Sequence, residues 1–149
     1  MSITFTIGTL GSDNVYRSAC NDNHRCTVEG CEDHDLYFYC DHMDDAQAAC
    51  PICSRSVNVS NTNASAILER LGVEFDYCGS IDAADMLGRA LVGNIGRDDS
   101  GVDSTEDARL GCATMIDCGL RPGYFDDRLG QIADLADYAA RHGHLILWS

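Results

Sequence analysis

Six of the nine cysteines and three of the five histidines fall between Cys20 and Cys53. Thiols at this density must be bonded to each other, bound to metal or buried, so they constrain the fold more than any other feature. The N-terminal stretch MSITFTIGTLGSDN has neither a basic leader nor a long apolar centre, and no run approaches the ~20 apolar residues of a membrane span. The expected setting is therefore the cytosol, where thiols stay reduced. An odd number of cysteines also fits a disulfide framework poorly. Metal ligation is the remaining expectation.

Zinc takes four ligands in a tetrahedron, most often thiolates and imidazoles, and a two-residue spacer aims both side chains of a pair at one point. CPIC supplies Cys50 and Cys53, with Pro51 stiffening the turn, and CEDH supplies Cys31 and His34 at the same separation. The pattern Cys31-x2-His34-x15-Cys50-x2-Cys53 lies within zinc-ribbon spacing, with the aromatic strand LYFYC between the pairs. Cys26, Cys40 and His42 are alternative ligands, and the cluster holds one zinc ion or shares two. A redox role for CPIC requires a following helix whose dipole lowers the first thiol's pKa. The strand-like SRSVNVS follows instead. Cys78, Cys112 and Cys118 read as small apolar core residues.

Three helices are expected downstream of this region. Ala64, Ile67, Leu68 and Leu71 form one helical stripe, with Asn61 or Asn63 as N-cap and left-handed Gly72 as the stop. A second helix after Ser80 has Asp82 and Asp85 at its positive end and the stripe Ala84, Leu87, Leu91, Val92 and Ile95, ending at Gly96. A third, from near Pro122, carries Phe125, Leu129, Ile132, Leu135, Ala136 and Ala139 and is closed by Arg141, His142 and Gly143.

Strands are expected near 3–8, 14–19, 35–40 and 56–60, and the final LILW should pair with SVNVS or with the first strand. The acidic stretch after Gly96 is out of register for an EF-hand and reads as a solvated loop. The predicted class is α+β: a zinc-stapled β region over 1–54 packed on a three-helix unit with short strands over 55–149, the two forming one continuous domain.

The formal charge is −14; all ten basic residues are arginine, and nineteen of the 24 acids are aspartate. Such a surface repels phosphate backbones and anionic membranes, arguing against direct nucleic-acid or membrane binding. It reads either as a solvated surface of compositional origin or as one that imitates DNA electrostatically and captures a basic partner. No HExxH, zinc-deaminase signature, serine-hydrolase elbow, phosphate loop or dinucleotide fingerprint is present, so the enzyme case is weak. Asn58, Asn61 and Asn63 are candidate ligand-binding amides at a helix N-terminus, which favours anions. Capping accounts for one or two of them without a ligand.

VNVSNTNASAILERLG, YCGSIDAADMLGRAL and the C-terminal CGLRPGYFDDRLGQIADLADYAARHGHLILWS resemble small proteins encoded by actinobacterial phages. The shared features are the N-x-N-A helix entry, a Gly-Ser or Gly-Glu before the second helix, and a closing strand with Trp followed by Ser or Gly. The resemblance spans roughly residues 56–149 and carries no assigned activity or site residue. It implies a phage-encoded accessory protein in the host cytosol, with a host or phage protein of basic surface as partner. The rival reading is a small-molecule or nucleotide pocket, catalytic or not, where the asparagine-rich entry meets Gly79 and Ser80.

Overall fold

The computed structural model describes residues 2–20, 48–93, 95–101 and 120–149, together with the backbone of 105–110 and 113–117. Over these residues the architecture is α+β, as expected. Seven strands are present: β1 (Ser2–Leu10), β2 (Tyr16–Ser18), β3 (Val57–Ser60), β4 (Gly79–Asp82), β5 (Thr105–Leu110), β6 (Ala113–Asp117) and β7 (Leu145–Trp148). The helices are α1 (Asn61–Arg70), α2 (Ala83–Val92) and α3 (Tyr124–Arg141). The expected strand near 35–40 lies outside the described residues.

Alternation in SITFTIGTL makes β1 the hub of a five-stranded antiparallel sheet. Its inward residues Ile3, Phe5 and Ile7 are fully buried, whereas Thr4 and Thr6 on the other face are not. Burying each of these large side chains contributes ~1.5–3 kcal/mol. Phe5 pairs with both Val57 and Trp148, and Gly8 with both Ser18 and Leu145. β2 and β3 therefore share one edge of β1, and β7 takes the other. β7 chose the first strand as partner, one of the two expected, and is flanked on its far side by β4. The helices cover the face that carries Ile3, Phe5, Val57, Val59, Ile146 and Trp148.

Most helical stripes match the sequence pattern. Ala64, Ile67, Leu68 and Leu71 are all buried, as are Leu129, Ile132, Leu135, Ala136 and Ala139 of α3. Gly72 (φ 65°) and Gly143 (φ 68°) take the left-handed conformation at the ends of α1 and α3.

Four local expectations are corrected. The N-cap of α1 is Ser60, whose Oγ accepts from the Asn63 amide at 3.3 Å, because β3 runs directly into the helix and leaves Asn61 as its first residue. Helix α2 buries Ala83, Met86 and Ala90, where the small Ala83 and Ala90 allow it to lie close against α3. Of the expected stripe Leu87 packs half-buried on the core while Ala84, Leu91, Val92 and Ile95 are exposed, and the helix ends at Val92, with Gly93 at its C-cap. GSID is a strand, held by pairing with β7, although its polar residues show no alternation. Part of the acidic stretch is likewise extended: β5 and β6 form an antiparallel ladder, with a register shift between Asp107 and Leu110.

Candidate metal centre

The sheet brings the cysteines together. β2 runs antiparallel along β1 from Leu10 to Gly8, and Ala19 continues it by donating its amide to Ile7 O at 2.9 Å. β3 starts opposite Phe5 and runs on to Ser2 along the same edge. The end of β2 and the approach to β3 therefore meet at the middle of β1. Cys20 stands at one side of this junction, and Cys50 and Cys53 at the other. The three sulfurs gather between the end of β2 and the approach to β3.

All three Sγ atoms lie within 4.8 Å of one another, and Cys20 Sγ is 3.8 Å from Cys50 Sγ. That separation is far beyond the ~2.05 Å of a disulfide. It is the spacing of two sulfurs that could share one ion. The CPIC turn is built to hold it: Ser54 N donates to Cys50 O at 3.0 Å, Ser56 N to Cys53 O at 3.1 Å, and Cys53 N reaches Cys50 Sγ at 3.5 Å. Cys20 N donates to Ser18 Oγ at 3.2 Å. Arg55 bonds Pro51 O at 2.8 Å and lays its guanidinium 4.4 Å from the Tyr138 ring centroid, fastening the turn to α3.

The thiols do not titrate alike. Burial pushes Cys53 up to about 12, helped by the sulfurs of Cys20 and Cys50. Burial also raises Cys50, but the amides of Cys53 and Ile52 and the sulfur of Cys20 outweigh it, so the net shift is downward. Crowded sulfurs with aimed amides suit one thiolate at a time unless a cation neutralises the others.

Of the expected ligands, Cys50 and Cys53 come together here. Cys31, His34, Cys26, Cys40 and His42 lie outside the described residues. Cys20 was missed because spacing rules look for short loops, whereas its partners are thirty residues away. The available signal was topological: an expected strand ending at 19 and another starting at 56 can lie end to end on one edge.

The asparagines have separate surroundings. Asn58 lies on the outer face of β3, where Nδ2 donates to Ser2 Oγ (3.2 Å) and Thr4 Oγ1 (2.8 Å) of β1. Asn63 Nδ2 donates to Tyr124 Oη at 2.9 Å, joining α1 to the start of α3. Asn61 Oδ1 is buried without a hydrogen-bond partner among the described residues.

No protein-family model, curated protein or solved structure matches the chain. Among the described residues no helix is long and apolar enough to cross a membrane.

Proposed function

We propose that this chain is a non-catalytic interaction protein whose N-terminal strands are stapled by zinc through Cys20, Cys50 and Cys53. The observation that carries the metal reading is the sulfur spacing. Zn–S bonds of about 2.3 Å at tetrahedral angles place two thiolates about 3.8 Å apart, and Cys20 and Cys50 stand at 3.8 Å. A donor set of thiolates favours zinc over the hard cations magnesium and calcium. Cys26, Cys31, His34, Cys40 and His42 have the chemistry to supply the fourth ligand. Such a closed site serves architecture, since a catalytic zinc keeps a position for water.

The interaction reading rests on charge. At −14 the surface attracts basic protein partners, the phage resemblance supports a host-cytosol setting, and a partner that ordinarily binds DNA fits the charge best. Two measurements test the two halves. Elemental analysis of untagged protein is expected to find at least one zinc per chain; a value of zero overturns the metal. Affinity capture from host lysate is expected to recover a basic protein that salt releases; an empty capture at low salt overturns the partner.

The buried, unpartnered Asn61 Oδ1 favours a second reading, a small-molecule site at the α1 entry. A thermal shift on adding nucleotides supports it, and a flat response across nucleotides and their sugars removes it.

A further inference from the structure

Three sulfurs this close can be joined in two ways: through a shared ion, or by oxidation to a disulfide. Among the described residues Cys20, Cys50 and Cys53 form the one such group, and each is half-buried, so a small oxidant in solvent reaches them. When they hold zinc all three are thiolates, the form that attacks an oxidant, and no titration has to come first.

The geometry favours one pair. Cys20 Sγ and Cys50 Sγ stand 3.8 Å apart, about 1.8 Å more than the ~2.05 Å of a disulfide. They are thirty residues apart in sequence, whereas Cys50 and Cys53 are held within one turn by Ser54 N on Cys50 O and Ser56 N on Cys53 O. A bond that closes a long loop constrains the unfolded chain far more than one that closes the CPIC turn. With a third sulfur in reach, thiol–disulfide exchange lets the bond settle on the more stable pair.

The position gives that bond a purpose. Cys20 ends the course of β2 along β1, and Cys50 lies on the approach to β3 at the same edge. A covalent link between them fastens the same junction that a shared ion fastens.

We infer that this cluster is a peroxide-responsive site at which a Cys20–Cys50 disulfide replaces zinc as the staple between β2 and the approach to β3. One thiolate attacks the O–O bond of the peroxide; two electrons pass from sulfur to oxygen, hydroxide leaves and a sulfenic acid remains. The partner thiolate attacks that sulfur, the S–S bond forms and a second hydroxide leaves. Two protons from solvent turn the hydroxides into water, and zinc, stripped of two ligands, departs. The inference rests on the zinc reading and adds how that site is regulated.

The test uses the full untagged chain carrying its zinc, treated with hydrogen peroxide. A chromophoric chelator is expected to register loss of the zinc, peptide mass mapping a Cys20–Cys50 bond, and a dithiol reductant the reversal of both. Oxidised metal-free protein should melt above reduced metal-free protein, because the link constrains the unfolded chain. Cys53→Ser, which keeps the pair, should still form the bond, and Cys78→Ser should change nothing. Zinc loss accompanied by another pairing, or by sulfinic acids alone, overturns the inference and leaves the zinc reading standing. So does an oxidised protein that melts no higher than the reduced one. Protein that carries no zinc before peroxide is added overturns the zinc reading and the exchange with it, so the starting metal content tells the two failures apart.

Discussion

Gly79 and Trp148 face each other across the β4–β7 ladder, and the indole fills the space a side chain at 79 would need. A Cβ there would lie 2.2 Å from Trp148 Cζ2. The same edge of the ring is pinned by Nε1, which donates to Asp76 O at 3.0 Å. Gly79→Ala is therefore expected to cost roughly 1–3 kcal/mol, as overpacking does. Trp148→Phe, which keeps an aromatic but loses the donor, should cost at least about 1 kcal/mol. Urea melts of both variants check this, and an unshifted Gly79→Ala midpoint would contradict the packing described.

If the Cys20–Cys50–Cys53 cluster holds zinc as proposed, replacing any of its sulfurs should release the ion. Cys20→Ser and Cys50→Ser are each expected to weaken zinc by more than the ~10–100-fold typical of partners that only orient ligands. Cys78→Ser should leave affinity unchanged, because that thiol is exposed rather than the core residue its chemistry suggested. Competition with a chromophoric chelator provides the readout.

Proton linkage gives a signed prediction at Cys53. Its thiol shifts from the ordinary 9.0 up to about 12 in the folded chain, because burial disfavours the thiolate. A raised folded value means that the unfolded chain loses its proton first. The associated stability is complete below about pH 9 and fades as pH rises towards 12. Metal-free protein should thus lose stability across that window in denaturant melts, and Cys53→Ser should flatten the slope. Zinc must displace the same proton, so its affinity should climb with pH from 6 to 8, together with proton release measurable by calorimetry in buffers of different ionisation enthalpy.

Asp99 caps α3 from a distant part of the chain. Its Oδ1 accepts from Phe125 N at 3.3 Å and its Oδ2 from Asp126 N at 2.9 Å, doing what Gly123 at the N-cap position has no side chain to do. Asp99→Ala should cost about 0.5–2 kcal/mol, and Asp99→Asn less, because it keeps an acceptor. Thermal melts separate the two.

Gly88 lies inside α2 with open space where its Cβ would be. Gly88→Ala should stabilise the chain by roughly 0.5–1 kcal/mol. A fall in melting temperature would mean that the position is crowded.

Elements whose burial follows one clean period were readable in advance. Ile3, Phe5 and Ile7 announced β1 by alternation, and the stripes of α1 and α3 pointed to the faces they bury. α2 defeated the same reasoning because it is apolar on two sides, and periodicity alone does not say which side meets the core. β4 has no pattern of its own; pairing with β7 makes it a strand. Asp99 and Cys20 act across gaps in sequence that only the folded topology closes. Cys50 and Cys53 could be found because a two-residue turn brings ligands together without help from the rest of the fold.

The placement of β1 has a consequence for the order of events during synthesis. β1 is made before β2, β3 and β7, the three strands that pair with it. Its neighbour β3 precedes the helices, but β7, which clasps it through Thr4 and Ser149 as well as through the ladder, follows all three of them. Until then a ribbon presenting Ile3, Phe5 and Ile7 waits with one side open, as attractive to another nascent ribbon as to its own. Closure is thus deferred until all three helices have been made, and a chaperone shielding Ile3, Phe5 and Ile7 would raise the yield of folded chains more than one acting on the helices.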